Sequence, residues 1–170
     1  MSNRSIVNYC YFKSPIGLIR MGETRGFLTR ASFVEQSPEL VHFQLESISN
    51  TSTLLKDTCR QLDEYFEGRR QKFDLALQPH GTDFQRSAWE SLLRIPYGET
   101  RSYLQQAESI RKPRAIRAIG QANSRNPIPI IIPCHRVIGK NGSPTGYSGG
   151  LDRKIRLLAL EHSFMHEQNY

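Results

Sequence analysis

Residues 102–123 read SYLQQAESIRKPRAIRAIGQAN. The opening Ser-Tyr-Leu-Gln has the form of a capping box, and it predicts a short helix that runs to about Ile110. Pro113 suits the first turn of a second helix, which we expect to run to about Asn123. A short helix, a brief basic connection and a second helix are typical of a helix-turn-helix motif.

The second of these helices presents three faces when it is projected at about 100° per residue. Ile116 and Ile119 lie together and are expected to face the core. The other two faces carry small and polar side chains, namely Ala115, Ala118 and Ala122, and Arg114, Arg117 and Gln121. A stripe of alanines either packs against another helix or lets the helix backbone approach DNA closely in the minor groove.

A further capping box, Thr-Asp-Phe-Gln at residues 82–85, predicts a preceding helix that runs to about Arg94. Before it, Gln-Pro-His-Gly at residues 78–81 interrupts the periodic patterns and is the expected linker. We therefore expect two domains, residues 1–77 and residues 82–170, with the helix-turn-helix in the second.

The first domain is expected to be a small α/β unit. Turn residues separate three strand-like runs that predict an antiparallel sheet, residues 6–12, 17–21 and 27–33. Apolar residues recur at helical spacing over residues 54–66 and stop before Gly68, which predicts one helix. Alternation over residues 73–77 predicts a last strand. The fold class is thus a small antiparallel sheet with a helix, followed by a mostly α-helical domain.

Charge is unevenly distributed along the chain, whose formal net charge is +7. Residues 78–170 contain 13 Lys or Arg against 7 Asp or Glu, whereas residues 1–77 contain 10 against 9. The second domain therefore carries a basic excess that would attract a nucleic acid. A basic surface that only faces solvent would give the same composition.

The cysteines and the apolar runs indicate the cellular compartment in which the protein is expected. Three cysteines, at positions 10, 59 and 134, are too few for a disulfide framework and contain no Cys-x-x-Cys pair. Cys10 and Cys59 lie on apolar stripes and are expected to pack in the core. No apolar run has membrane-spanning length, and no signal-peptide segment is recognisable. We expect a cytoplasmic protein, associated with the nucleoid in a prokaryote, without a membrane partner.

Downstream of the helix-turn-helix, residues 131–139 read IIPCHRVIG. A thiol beside an imidazole at the end of an apolar run makes Cys134 a candidate nucleophile, with His135 as its base. The Gly-Tyr-Ser-Gly-Gly of residues 146–150 is suited to forming a tight backbone wall around a flat substrate.

From about Gly81 to Glu161 the chain resembles the O6-alkylguanine-DNA alkyltransferases, whose signature is Pro-Cys-His-Arg-Val. The resemblance implies a single-turnover transfer of an alkyl group from O6-alkylguanine, and from O4-alkylthymine, in double-stranded DNA to Cys134. It implies a monomer that needs no cofactor and no metal. It also implies a relay in which Glu161, His135 and a water activate the thiol.

Further roles follow from the same resemblance. Tyr103 corresponds to the tyrosine that reaches the guanine ring, and Arg117 to the arginine that fills the stack when the base is flipped out. Asn126 corresponds to an asparagine that ties the recognition helix to the active-site loop. The remaining pocket residues are Pro129, Val137, Tyr147, Ser148 and Gly149, and the remaining DNA contacts are Arg111, Lys112, Arg114 and Gln121.

The chain departs from the family where a glycine commonly precedes the basic-Pro pair, because Arg111 stands there. Three alternatives remain open at this point. One is a helix-turn-helix regulator with a structural Cys134, although no dimerisation element is recognisable. The others are a Cys-His hydrolase, which would turn over repeatedly, and a zinc site, for which no ligand pair has metal-finger spacing.

Overall fold

The computed structural model describes residues 7–35 and 51–167. The chain divides into two compact units, Met1–Pro79 and His80–Tyr170. The point of division falls inside the segment that the sequence indicates as a linker.

Unit 1 contains a three-stranded antiparallel sheet in the order β1-β2-β3, as the sequence predicts. The strands are β1 (Val7–Ser14), β2 (Gly17–Thr24) and β3 (Phe27–Val34). The connection between β2 and β3 is shorter than expected, because Arg25 and Gly26 form it alone with φ angles of 53° and 80°. Two residues at positive φ match the right-handed twist of a hairpin, so β2 extends to Thr24.

The helix α1 (Thr53–Phe66) completes this unit, as the helical spacing of apolar residues over 54–66 predicts. Ser52 caps it by accepting a hydrogen bond from the backbone N–H of Leu55. Gly68 follows the helix with a φ of 74°. The buried face of α1 carries Leu55, Thr58, Gln61, Leu62 and Tyr65.

The last strand that the sequence predicts, over residues 73–77, does not form. Leu77 makes only an isolated parallel bridge with Leu28, through hydrogen bonds between Leu28 and the backbone of Ala76 and Gln78. The backbone of Asp74 bonds the Gln61 side chain of α1 instead of a strand, through both its N–H and its C=O over 2.8 Å. Alternating apolar residues here produce a half-buried extended segment instead of a strand.

Unit 2 contains four helices and a short two-stranded parallel pairing. The helices are α2 (Asp83–Leu93), α3 (Tyr103–Ser109), α4 (Ile116–Ser124) and α5 (Leu151–Glu167), and the strands are β4 (Arg101–Ser102) and β5 (Val137–Ile138). Both predicted capping boxes are present, one between Thr82 and Gln85 and one between Ser102 and Gln105. The fold class predicted from the sequence is therefore confirmed.

Small side chains bring α2, α3 and α4 together. Their common core cluster consists of Ala88, Ala107, Ile119 and Ala122. The indole N–H of Trp89 donates to the carbonyl of Ala122 over 2.9 Å, and the amides of Gln106 and Asn123 bond each other. One part of the alanine stripe thus packs against other helices, whereas Ala118 stays half-buried.

The structure corrects two predicted helix boundaries. The helix expected to begin at Pro113 begins at Ile116, because residues 112–115 form a separate turn in which the N–H of Ala115 bonds the Lys112 carbonyl. Ile116 is 41 % exposed, not a core residue as predicted, since its place in the first turn leaves it outside the core cluster. The sequence pattern over residues 152–161 also predicts a helix that ends at Glu161, whereas α5 continues to Glu167, so Glu161 lies within the helix.

Candidate active site

The Cys134 thiol lies at the start of a single 3-10 turn, Cys134–Arg136, which leads directly into β5. Only 4 % of the residue is exposed. The side-chain amide of Asn126 donates to the Cys134 Sγ over 3.1 Å and to the Ile132 carbonyl over 2.7 Å. One residue located just after α4 therefore holds both the candidate nucleophile and the loop that carries it.

The loop before Cys134 contains an unusual backbone conformation. Ile130 is buried and has a φ of 74°, which a β-branched residue rarely adopts. Such a conformation costs about 1–3 kcal/mol, and it persists only where the surrounding contacts determine it. Pro129 is buried next to it and pairs with Ile132 in an isolated bridge. The path of this loop is thus fixed by packing before any substrate binds.

A buried charge network lies next to Cys134 in sequence. The His135 Nε2 and the Glu161 Oε1 are 2.8 Å apart, and both residues are almost completely buried. Arg136 donates to the same carboxylate through Nε and one Nη, over 2.9 and 3.0 Å, and to the Ile95 carbonyl over 2.7 Å. The backbone N–H of Gly98 donates to the Glu161 Oε2 over 3.1 Å. The Glu161 carboxylate therefore receives hydrogen bonds from several donors at once.

The protonation states within this network follow from burial and pairing. Burial by itself would raise the pKa of Glu161, but the bonds and charges of His135 and Arg136 outweigh it and lower that pKa to about 2. Burial lowers the pKa of His135, although Glu161 opposes the shift. Near neutral pH the site therefore pairs an ionised carboxylate with a neutral imidazole.

The tautomer of that imidazole is determined by its partner. Because an ionised carboxylate only accepts hydrogen bonds, we assign the proton of His135 to Nε2. The second ring nitrogen, Nδ1, then carries a lone pair. It is buried and has no hydrogen-bond partner among the described protein atoms. The arrangement leaves a basic nitrogen available in the interior of unit 2.

Burial raises the pKa of the Cys134 thiol to about 11, although Asn126 and the charge of Lys154 oppose the shift. The thiol is therefore protonated at neutral pH. Since the thiolate is the effective nucleophile, this cysteine needs a base at the moment of reaction.

Lys154 is a buried residue of this region that the sequence analysis did not identify. Its Nζ donates to the carbonyls of Val137, Thr145 and Gly146, over 2.5, 2.6 and 3.3 Å. Burial lowers its pKa to about 8, and the Cys134 charge opposes this shift. One ammonium group thus joins β5 to the loop that follows it.

Tyr103 of α3 and the carbonyls of Cys134 and Val137 are expected to contact the guanine base. The Tyr103 hydroxyl donates to the Thr145 carbonyl over 2.9 Å, and burial raises the pKa of Tyr103. The Val137 carbonyl already accepts from Lys154, and the Cys134 carbonyl accepts from the N–H of Val137. A carbonyl oxygen has two lone pairs, so each can accept one further hydrogen bond.

The glycine-rich loop after β5 differs in exposure from residue to residue. Ser148 is exposed, and the Gly149 carbonyl accepts from Arg153. The Tyr147 hydroxyl is buried without a hydrogen-bond partner among the described atoms, and burial raises the pKa of Tyr147 well above its usual value.

A basic surface surrounds the helix-turn-helix. Between Glu108 and Asp152 the chain has no acidic residue and seven Lys or Arg. The side chains expected to contact DNA are all exposed. They are the four cations Arg111, Lys112, Arg114 and Arg117, and the amide of Gln121. Within the described ranges none of the four cations forms a salt bridge. Their charge is therefore available to an external anion.

The backbone conformation at Arg111 explains why the family commonly has a glycine at this position. Arg111 has a φ of 58° and follows the end of α3, where its N–H bonds the Glu108 carbonyl and the N–H of Lys112 bonds the Ala107 carbonyl. This pair of hydrogen bonds is the Schellman motif, in which glycine is preferred because it has no Cβ. The chain keeps the motif with an arginine in the left-handed conformation.

Two further residues of the network were missed by the sequence analysis. Arg136 belongs to the quoted signature, yet its ion pair with Glu161 spans 25 residues of sequence. Gly98 has a φ of 74°, and a Cβ there would lie 2.5 Å from the Met165 side chain. A signal did exist for Lys154, because positions 154, 157 and 161 lie on one helical face and Leu157 is apolar.

Unit 2 therefore combines a helix-turn-helix with a buried Cys-His pair on the loop after its second helix and a glutamate that supports the histidine, which is the arrangement of a DNA-binding protein with a reactive thiol. Two family models match the chain. Residues 7–79 match the ribonuclease-like domain of 6-O-methylguanine DNA methyltransferase, and residues 83–163 match its DNA binding domain. The chain belongs to the methylated-DNA–protein-cysteine methyltransferase family.

Individual relatives agree over nearly the whole chain. The methylated-DNA–protein-cysteine methyltransferase of Methanosarcina barkeri is 48 % identical over 91 % of this chain and 97 % of its own length. The crystal structure of Mycobacterium tuberculosis O6-methylguanine methyltransferase is 44 % identical, with a TM-score of 0.79 over 93 % of this chain and 94 % of that one. The same protein in complex with DNA is 43 % identical with the same TM-score, over 92 % and 93 % of the two chains.

The described residues include neither a membrane-spanning helix nor a metal-binding cluster. No helix among them is long and apolar enough to cross a membrane. No three His, Cys, Asp or Glu side chains in the described ranges are grouped so that they could hold a metal ion.

Proposed function

We propose that this protein repairs DNA by transferring an alkyl group from O6 of guanine, and from O4 of thymine, to the Cys134 thiolate. The observation that carries the proposal is the buried network of Cys134, His135 and Glu161 in a chain of this family. A C–S bond forms, the C–O bond breaks, and its electron pair leaves with the base. The thioether product has no route to hydrolysis, so each molecule reacts once.

Proton removal from the thiol starts the reaction. The Cys134 proton passes through a bridging water to His135 Nδ1, the ring nitrogen that carries the lone pair. The imidazolium that forms is stabilised by the ionised Glu161, to which Nε2 already donates. Arg136 and Gly98 hold the carboxylate in place during this step.

The departing base gains negative charge, which hydrogen-bond donors at its ring stabilise. Tyr103 serves as the donor to a ring nitrogen, and the backbone N–H of Ser148 as the donor near O6. The carbonyls of Cys134 and Val137 accept from the exocyclic amine. Tyr147, Pro129 and Gly149 form the walls of the pocket, and Asn126 keeps the thiol aligned with it.

Double-stranded DNA is the partner, and the target base is flipped out of the helix to reach a thiol that is 4 % exposed. Arg117 takes the place of the base within the stack. Arg111, Lys112, Arg114 and Gln121 contact the backbone, so affinity is largely independent of sequence. The complex of the M. tuberculosis relative with DNA supports this partner. We infer a monomer located in the cytoplasm, where the DNA is accessible and thiols stay reduced.

The deciding experiment is intact mass spectrometry after incubation with duplex DNA that contains O6-methylguanine. We expect one methyl group per protein, mapped to Cys134, and none on the Cys134→Ser variant. Cys10→Ser and Cys59→Ser are matched controls that should accept the methyl group as the unsubstituted protein does. Unmodified protein would favour a helix-turn-helix regulator, and repeated turnover would favour a Cys-His hydrolase.

Salt dependence of DNA binding tests the proposed surface. Replacing Arg111 and Lys112 with alanine should lower the slope of log affinity against log salt by about two units, since each phosphate contact contributes about 0.9. The loss should be the same for unrelated sequences, and transfer from free O6-benzylguanine should be unchanged. An unchanged slope would remove both side chains from the interface.

A further inference from the structure

Two cysteines outside the alkyl-acceptor site lie next to each other in unit 1. Cys10 is in β1, Cys59 is in α1, and their sulfur atoms are 3.9 Å apart although 49 residues separate them in sequence. Both are free thiols. A disulfide needs a sulfur–sulfur distance of about 2.05 Å, so the two atoms would have to approach by roughly 1.9 Å. Rotation of both side chains, combined with a small shift of α1 on the sheet, would have to supply this approach.

We propose that Cys10 and Cys59 form a thiol–disulfide exchange site that takes a low-molecular-weight disulfide as its oxidant and closes a reversible crosslink between β1 and α1. The chemistry of the alkyl acceptor uses neither residue.

The two thiols differ in access, and this difference assigns their roles. Cys59 is half-buried and can be reached from solvent, whereas Cys10 is only 5 % exposed. A small disulfide therefore reacts first at Cys59, and Cys10 acts as the resolving thiol from the interior. Their hydrogen bond supports this order, since it lowers the pKa of Cys59 and raises that of Cys10.

Atoms and electrons balance over two exchange steps. The Cys59 thiolate attacks one sulfur of the oxidant, forms a mixed disulfide and releases the first thiolate. Cys10 then loses its proton to solvent and attacks the Cys59 Sγ, which forms the crosslink and releases the second thiolate. The protein loses two electrons and two protons, and the oxidant becomes two thiols. A dithiol reductant reverses both steps.

The crosslink would close a loop of about 50 residues that includes most of unit 1. Closing a loop restricts the unfolded chain far more than the folded one, so stability should rise in the oxidised state. The Cys134 thiol belongs to unit 2 and is held by Asn126, so its reaction does not depend on this event.

The test uses the full chain, in its natural sequence and as Cys134→Ser, treated with oxidised glutathione. We expect the loss of two hydrogens without a retained glutathione, and a non-reduced digest in which the Cys10 and Cys59 peptides are joined. The thermal midpoint of unit 1 should rise by about 5 °C or more and return after reduction. The Cys10→Ser variant should retain one glutathione on Cys59, because the resolving thiol is missing, whereas Cys59→Ser should retain none.

Three results would overturn the proposal. One is a stable glutathione adduct on Cys59 while Cys10 is present. Another is a crosslink that involves Cys134 in place of Cys10 or Cys59. The third is unmodified protein at oxidant concentrations that join an engineered thiol pair of ordinary geometry. Because the first readout uses the natural sequence, the test does not depend on how well the serine variants fold.

Discussion

Replacing Glu161 with glutamine should destabilise unit 2 and make its stability less sensitive to acid. The glutamine oxygen can still accept from His135, but the amide nitrogen cannot accept from Arg136, so the buried guanidinium is left with an uncompensated charge. The pKa of Glu161 is about 2 in the folded state, against 4.5 for the model group. This difference corresponds to a stabilisation of about 3 kcal/mol at pH 7.

The sign of the pH dependence follows from the direction of that shift. A carboxyl group whose pKa is lowered on folding stabilises the protein fully above pH 4.5, and the effect is lost as the pH falls toward about 2. The difference between the unsubstituted protein and Glu161→Gln should therefore shrink from about 3 kcal/mol at pH 7 to about 1.5 kcal/mol at pH 3.

Urea unfolding followed by the fluorescence of Trp89 provides the measurement, because this is the single tryptophan and it is buried in the same unit. Glu90→Gln is a matched control, since it removes the same charge from an exposed position of α2. A difference that is equal at pH 7 and pH 3, or no larger than that of the control, would refute the role given to the Glu161 charge.

Three further outcomes are expected. Arg111→Gly should raise the thermal midpoint by about 2–4 °C, because it removes roughly 1 kcal/mol of left-handed backbone strain; a lower midpoint would contradict the assigned conformation. The same variant should lower the salt slope of DNA binding by about 0.9, because one phosphate contact is lost. Lys154→Met should slow alkyl transfer from free O6-benzylguanine at least about tenfold, because the charged hydrogen bonds to the Val137 and Thr145 carbonyls are lost. An unchanged rate constant together with a lower thermal midpoint would make Lys154 purely structural. Arg117→Ala should slow repair of duplex DNA more than about tenfold and leave the reaction with the free base within about twofold; equal losses would place Arg117 in the chemistry.

Local features were read correctly from the sequence. The two capping boxes, the β1–β2 turn and the end of α1 at Gly68 all formed as predicted, because each depends on hydrogen bonds and backbone preferences within a few residues. The candidate roles of Cys134 and His135 also come from a continuous string, and they stay predictions. The role proposed for Glu161 came from resemblance to a family, not from any local pattern.

Where local preference and tertiary contact disagreed, the contact decided. Residues 73–77 alternate as a strand would, yet they form a single bridge with β3, and the backbone of Asp74 bonds the Gln61 side chain instead. Ile116 has the spacing of a core residue, but no element in the described part of unit 2 covers the first turn of α4 closely enough to bury it.

The sequence by itself determined where most helices and hairpins lie, and it indicated Cys134 as the candidate nucleophile, because these features are encoded over short stretches of chain. Only the tertiary structure decided that Arg136 pairs with Glu161, that Lys154 is buried against three carbonyls, and that Cys10 faces Cys59. These contacts join residues between 8 and 49 positions apart. Their existence depends on how the packed elements close on one another and exclude water, and no local periodicity records that closure.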